Sequence, residues 1–108
     1  MKKDLAHILP TSTTHGIGAK RVLLHNSETP TSLTQIAITT LRTGEESEIH
    51  KHPTMEEFFL FRKGRAIVNV NNQQIVCEAG DFIRIPANIP HSVKAITNLE
   101  VLTIGCAL

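Results

Sequence analysis

The chain has 108 residues, which is enough for one domain with a single core and too few to divide comfortably into two. Its hydrophobic fraction of 41% is that of an ordinary globular protein and gives no indication of disorder. The net charge is +1, with acidic and basic residues interspersed. This pattern excludes the basic stripe of a nucleic-acid-binding protein and the polybasic patch of a membrane-surface protein.

The first 19 residues are polar and rich in turn-forming residues, and we interpret residues 1–19 as an irregular N-terminal arm that packs against the domain or a partner chain. Asp4, His7 and Pro10 interrupt the apolar run that a signal peptide requires. No stretch approaches the roughly 18 apolar residues of a membrane-spanning helix. We therefore expect a cytoplasmic protein.

From residue 20 onwards, short runs rich in β-branched residues are separated by Gly, Pro and Asn at close intervals. No run has helical periodicity over more than two turns, and the alternation is typical of an antiparallel sandwich or barrel. The predicted strands are residues 20–25, 32–42, 47–52, 56–63, 65–70, 73–78, 81–86, 91–97 and 100–105. Residues 20–108 are thus predicted to form a single all-β domain.

The clearest predicted hairpin spans residues 65–78. Asn71 and Asn72 can both adopt the positive φ of a two-residue type I′ turn. Three glycines mark other joints between strands, where a side chain would strain the backbone: Gly44, Gly64 and Gly80.

The two cysteines, Cys77 and Cys106, both lie in apolar runs and are far apart in the sequence. We interpret them as reduced and mostly buried thiols rather than as a disulfide.

One polar cluster precedes the apolar run of residues 58–61. Because residues two apart on a strand share a face, His50 and His52 are predicted to project the same way, and Glu57 shares its parity with Phe59 and Phe61. A carboxylate on the inner face of a barrel requires a cation or a hydrogen-bonded partner. Two imidazoles and a carboxylate around a metal ion would meet that requirement.

His91 opens a later strand after a proline-framed turn, and the hairpin between the two regions is short enough to bring His91 beside the first three residues. Three imidazole nitrogens and one carboxylate oxygen suit Fe, Mn, Ni, Co or Zn as a divalent ion. Octahedral coordination would leave two positions open. The alternative is a polar rim whose spacing is coincidental.

The same residues resemble a known family. The stretch 44–64, GEESEIHKHPTMEEFFLFRKG, is similar to the first cupin motif at five positions: Gly44, His50, His52, Glu57 and Gly64. The stretch 80–91, GDFIRIPANIPH, is similar to the second motif at three positions: Gly80, Pro86 and His91. Together the motifs cover nearly half of the chain, and the short spacer between them is typical of small single-domain cupins of type 2.

The resemblance implies a jelly-roll β-barrel. It also implies one divalent transition-metal ion per chain, held inside the barrel by His50, His52, Glu57 and His91. The sequence departs from the family pattern at Asn88, where glycine is usual, and at Ala95, where asparagine is usual. Asn tolerates positive φ, so the turn at residue 88 is expected to survive.

Four further residues near the cluster are assigned to ordinary roles. Glu48 shares the face of the two histidines but is predicted to be solvated, and Glu56 is predicted to point outward. Phe59 and Phe61 are predicted to belong to the barrel core rather than to a substrate site.

Gln35 and Arg42 lie on a long predicted strand that carries apolar residues on both faces, so either could reach a pocket and neither is assigned to one. The remaining histidines, His7, His15 and His25, follow no ligand spacing and are predicted to be solvated or structural.

Cupins include dioxygenases, decarboxylases, isomerases, epimerases and binding domains, so the resemblance alone does not define a reaction. The leading hypothesis is a metal-dependent enzyme that acts on a small polar or oxyanionic metabolite. The chain has no Tyr and few candidate acid–base groups, which favours dioxygenase-like chemistry over isomerisation or epimerisation. The alternatives are a non-catalytic metal- or ligand-binding domain and a purely structural metal. A homodimer is expected, because strand edges of a small open barrel need cover.

Overall fold

The computed structural model describes residues 1–13 and 16–108. Within these residues, two 3₁₀ helices, Leu5–His7 and Asn26–Glu28, accompany nine strands. The strands are β1 (Thr11–Ser12), β2 (Ala19–His25), β3 (Leu33–Leu41), β4 (Met55–Lys63), β5 (Arg65–Val70), β6 (Gln73–Glu78), β7 (Phe82–Ile85), β8 (His91–Ala95) and β9 (Leu99–Ala107). Within the described part of the chain, no helix is long and apolar enough to cross a membrane.

The strands form two antiparallel sheets that pack face to face. The larger sheet has the order β1-β2-β3-β9-β4-β7, and the smaller sheet has the order β6-β5-β8. The largest fully buried apolar side chains between them include Phe61, Val68 and Ile85. The predicted all-β jelly-roll architecture is therefore confirmed.

The predicted hairpin is confirmed with its boundaries, since β5 and β6 pair from Val70↔Gln73 onwards. Asn71 and Asn72 have φ values of 49° and 67°, as the type I′ turn requires. Asn88 has a φ of 66°, so asparagine does take the left-handed conformation at the position where the family usually has glycine.

The prediction of a strand over residues 47–52 is wrong. Only isolated bridges connect this part of the chain to β8, namely Glu46↔Lys94 just before the segment and His50↔His91 within it. Between the two bridges the chain advances by four residues on one side and β8 by only three on the other. The extra residue interrupts the pairing as a β-bulge does. The segment still runs alongside β8, because the amide of Ser47 donates to the carbonyl of Val93 at 2.9 Å.

The N-terminal arm lies against β2, at one edge of the larger sheet. Arg21 Nε donates a hydrogen bond to the carbonyl oxygen of Ile8, and β1 pairs with β2 of the same chain. Ile38, the residue opposite Arg21 on β3, is 4% exposed although it faces away from the barrel interior. Both cysteines are free, as predicted, with Cys77 buried and Cys106 half-buried.

Candidate metal centre

Four side chains from three parts of the chain converge inside the barrel. Glu57 is contributed by β4 of the larger sheet and His91 by the first residue of β8 in the smaller sheet, while His50 and His52 lie on the segment before β4. One ligand atom from each lies within 4.8 Å of all the others. The four residues predicted from the spacing are thus brought together and form a group that could hold a metal ion.

Backbone hydrogen bonds place the histidines. His50 and His91 exchange two such bonds, N to O at 3.0 Å and 2.9 Å, which holds their ring centroids 4.3 Å apart. The carbonyl of His52 accepts from the amide of Asn88 at 2.7 Å. The loop before β8 therefore fixes both the strand that carries His91 and the backbone of His52.

Two imidazole rings are oriented through their Nδ1 atoms. Nδ1 of His50 lies 2.8 Å from the carbonyl oxygen of Glu48, and Nδ1 of His91 lies 2.9 Å from that of Ile89. Because a carbonyl oxygen only accepts, Nδ1 carries the proton in both rings. In the neutral ring Nε2 is then the atom with a free lone pair, the arrangement typical of metal-ligating histidines.

One carboxylate oxygen connects the group. Oε1 of Glu57 lies 3.0 Å from Nε2 of His52 and 3.1 Å from Nε2 of His91. Burial raises the pKa of Glu57, but the hydrogen bond from His91 and the nearby histidines outweigh burial and hold the pKa below its ordinary value. Burial likewise lowers the pKa of His91, and its bonds to Glu57 and Ile89 raise it above its ordinary value.

These residues fit a divalent metal. In the metal-free protein, Nε2 of His91 can donate to Glu57 only if the ring is a cation, because its Nδ1 already donates to Ile89. A metal ion would supply that positive charge in place of the proton, and the N₃O donor set is one that Fe, Mn, Co, Ni and Zn accept.

The group lies on the wall of a cavity of about 260 Å³ between the two sheets. The cavity is slightly smaller than the range of about 300–1,000 Å³ that is usual for small-molecule sites. Apart from the four candidate ligands, its described lining comprises Thr13, Ile17, Lys20, Gln35, Thr39, Leu41, Ser47, Met55, Phe59, Phe61, Val93, Val101 and Thr103.

Comparison with known proteins agrees with this site and fold. The profile of the family described as "Cupin domain" matches residues 37–105, which is more than half of the chain. The chain belongs to the cupin family. An uncharacterized protein of Methanocaldococcus jannaschii is 28% identical over 107 residues, covering 99% of this chain and 85% of that protein.

Solved structures share the fold of this cupin. A predicted oxalate decarboxylase of Thermotoga maritima has a TM-score of 0.91 at 23% identity, with all of both chains covered. The ectoine synthase of P. lautus has a TM-score of 0.86 at 15% identity and covers 99% of this chain and 78% of its own. An RmlC-like cupin of Shewanella frigidimarina has a TM-score of 0.83 at 18% identity, with 98% and 89% covered. At these identities the likeness concerns the fold alone.

The neighbouring acidic and aromatic residues of the cupin lie where the sequence predicted. Glu48 is exposed, and Glu56 points outward to accept two hydrogen bonds from Arg84. Phe59 and Phe61 are 7% and 1% exposed and belong to the core. Both rings also form part of the cavity wall, so the division between core and site is not sharp here.

The structure distinguishes the residues that sequence analysis could not assign to the cavity or to the surface. Gln35 lines the cavity, whereas Arg42 is exposed and lies outside it. His7 is exposed beside Asp4, and His25 caps the second 3₁₀ helix. His15 lies outside the described residues.

Sequence reasoning missed several polar residues of the cavity wall, namely Lys20, Thr39, Ser47 and Thr103. Parity along β3 would have placed Thr39 with Gln35, but apolar residues on both faces of that strand obscured which face was inner. Lys20 had no such signal, because a lysine at the start of a strand is usually solvated.

Proposed function

We propose that this cupin binds one divalent transition-metal ion through His50, His52, Glu57 and His91 and acts as a metal-dependent enzyme on a small polar metabolite. The observation that carries the proposal is the convergence of four ligand atoms within 4.8 Å of one another at the wall of a cavity. A bound metal would act there as a Lewis acid on an oxygen of the substrate, or as a redox centre.

The residues of the chain supply binding and exclusion of water. Apolar side chains of both sheets line most of the cavity, so a ligand that fills it would displace water. Such a ligand would contact the four candidate metal ligands, which we call the metal-ligand group, in surroundings of low polarity. Among the described lining residues, Lys20 is the one ionisable side chain besides the four candidate ligands. This scarcity of acid–base groups favours dioxygenase-like or other metal-centred chemistry over isomerisation, which needs a protein base.

The same scarcity supports a second candidate function, a non-catalytic domain that binds a metal or small ligand. The two candidates share the metal group and the cavity and differ only in turnover.

The test begins with elemental analysis of protein purified without added metal, for which we expect about one metal ion per chain. The Fe, Mn, Co, Ni and Zn forms are then screened for turnover of small polar metabolites in the presence and absence of air. Oxalate belongs in the screen because the protein of Thermotoga maritima is described as a predicted oxalate decarboxylase. The Glu57→Gln variant is the negative control.

The outcomes separate the candidates. Metal-dependent turnover that the Glu57→Gln variant lacks supports the enzyme. Ligand binding without turnover by any metal form overturns the enzyme and supports the binding domain. A protein that takes up none of the five metals overturns the enzyme and the metal-binding domain, and one that also binds no small ligand overturns the second candidate altogether.

The proposal extends to assembly and location. The larger sheet presents exposed apolar side chains on its outer face at Leu60 and Phe82, and a second copy of the chain is the partner that we propose for this face.

The free thiols of Cys77 and Cys106 agree with a reducing compartment and support a cytoplasmic location.

A further inference from the structure

A second polar group lies on the cavity wall away from the metal-ligand group. Nζ of Lys20, on β2, donates a hydrogen bond of 3.0 Å to Oε1 of Gln35, on β3. Thr39 and Thr103 lie on the same inner face, with their Oγ1 atoms 3.0 Å apart. The remaining wall between these groups and the metal-ligand group is largely apolar.

The hydrogen bond between Lys20 and Gln35 leaves mostly donors available, namely two N–H groups of Lys20 and both of the Gln35 amide, against one lone pair of Oε1. An ammonium group donates and never accepts, so the amide of Gln35 must turn its oxygen to Lys20. The amide nitrogen of Gln35 makes no hydrogen bond to the described residues, and Lys20 uses one of its three donors. A lysine ammonium with free N–H donors beside an amide NH₂ is suited to a carboxylate and not to a cation.

The charge of Lys20 is also uncompensated. Within residues 1–13 and 16–108 no carboxylate lies within ion-pair distance of Nζ, although Lys20 is partly buried. Glu57 is the one carboxylate of the described cavity wall, and its Oε1 is engaged by His52 and His91. A partly buried cation without a counter-ion favours the binding of an anion from solution.

The strand register places Gln35 in the same sheet as Glu57 of the metal-ligand group, on the other side of β9. Gln35 pairs with Gly105, and Gly105 pairs with Glu57, so Gln35 and Glu57 lie in one row, two strand spacings apart, or about 10 Å between backbones. Gly105, between them, has no side chain, and the place that a Cβ would take is filled by Oγ1 of Thr34. Both polar groups line the same cavity, so a small molecule can lie inside it with one end at each group.

We propose that Lys20 and Gln35 form a carboxylate-binding subsite, and that the ligand of this cupin is a small organic acid whose second oxygen-bearing group faces the metal-ligand group. This inference rests on the proposed function for the role of the second group. The subsite itself depends only on Lys20 and Gln35.

The test is titration calorimetry of malonate, succinate and glutarate with the metal-loaded protein, with the uncharged diamides malonamide, succinamide and glutaramide as controls for shape. At least one of the acids is expected to bind, and its diamide is not. Lys20→Met is expected to weaken binding of that acid by at least about tenfold, the usual effect of losing a hydrogen bond to a charged group. Lys20→Arg keeps the charge and is expected to retain part of the affinity.

Lys94→Met is the matched control, because Lys94 is exposed on β8 and lies outside the lining of the cavity. It is expected to bind the acid as the wild type does. Metal content after each titration shows that the acid has not removed the metal, and it is expected to be equal in Lys20→Met and wild type.

Three results would overturn the subsite: no binding of any acid, equal binding of an acid and its diamide, or unchanged affinity in Lys20→Met with metal present. Failure of the proposed function is a different result, a wild type that holds no metal. In that event the acids are titrated into the metal-free protein, where dependence on Lys20 supports the subsite and independence overturns it.

Discussion

Oε1 of Glu57 lies 3.1 Å from Nε2 of His91, although the two residues are 34 positions apart and belong to different sheets. The bond forms only when β4 of the larger sheet packs against β8 of the smaller one. The metal-ligand group is therefore a product of the completed barrel and not of either motif alone. Removing one partner is expected to alter metal affinity more than the fold, since the backbone bonds between His50 and His91 remain.

The first prediction compares two adjacent glutamates. Glu57→Gln removes the anionic candidate ligand and is expected to weaken metal binding by more than about 100-fold. Losing a residue that only hydrogen-bonds to a metal ligand already costs up to about 100-fold, and losing the ligand itself should cost more. Glu56→Gln, its matched control, changes a side chain that faces outward to Arg84 and is expected to leave metal binding unchanged. Metal content after dialysis and competition with a chelator measure both.

Equal metal content in Glu57→Gln and Glu56→Gln would contradict the assignment of Glu57 as a ligand. The same variants also test whether the metal is purely structural. A Glu57→Gln protein that has lost the metal yet melts near the temperature of the metal-loaded wild type would rule that role out.

The second prediction concerns the pH dependence of the metal-free protein. The pKa of Glu57 lies below its ordinary value of 4.5, so its stabilising contribution is present above that pH and is lost as the pH falls through the lowered value. The pKa of His91 lies above its ordinary value of 6.5, so its contribution is present below that pH and is lost as the pH rises through the raised value. Both are present together between 4.5 and 6.5.

The measurement is the difference in melting temperature between wild type and Glu57→Gln, both with a chelator present. This difference is expected to be largest near pH 5.5, between the two ordinary values, and to shrink as the pH rises through the raised pKa of His91. A difference that grows steadily with pH would contradict the pairing of Glu57 with His91. Glu56→Gln, whose partner Arg84 stays charged throughout, serves again as the control.

Much of the barrel could be predicted from the sequence because its strands alternate and its turns carry residues with a specific backbone role. Asn71 and Asn72 define the hairpin, and its two strands have the predicted boundaries. The segment of residues 47–52 was predicted as a strand from the same alternation, and there the prediction fails. The extra residue opposite β8 results from pairing between distant segments, and the alternation within one segment cannot predict such pairing.

The candidate site likewise has residues that the sequence predicted and residues that it did not. The four candidate ligand positions were predicted from spacing and burial of charge, and the structure brings them together. Lys20 was not found, because its relation to Gln35 depends on how β2 and β3 align. The burial of Ile38 was also not predicted, since it faces away from the barrel interior beside Arg21, which bonds to an N-terminal arm whose path the sequence does not specify.

The third prediction uses two glycines of the cupin motif that share a backbone conformation. Gly44 and Gly64 both have a φ of +86°, but a Cβ at Gly44 meets nothing within 4 Å, whereas one at Gly64 would overlap the carbonyl oxygen of Asn98. Gly44→Ala is expected to cost about 1–2 kcal/mol of unfolding free energy, the strain of positive φ alone. Gly64→Ala adds a backbone clash and is expected to cost several kcal/mol more or to prevent folding.

Chemical denaturation of the two variants measures the difference directly. Equal losses of stability would mean that the backbone around Asn98 moves aside without cost, which contradicts the close approach seen between the turn at Gly64 and the loop before β9.

The fourth prediction concerns the homodimer. Phe82 is 60% exposed on β7, and its ring stacks on that of Phe58 with centroids 6.3 Å apart, so the two form an apolar surface on the outer face of the larger sheet. We expect light scattering at micromolar concentration to give twice the chain mass for the wild type and the chain mass for Phe82→Glu. Val76→Glu is the control, since Val76 is similarly exposed, at 57%, but lies on the smaller sheet. A monomeric wild type, or a Phe82→Glu protein with the mass of the wild type, would contradict an interface on this face.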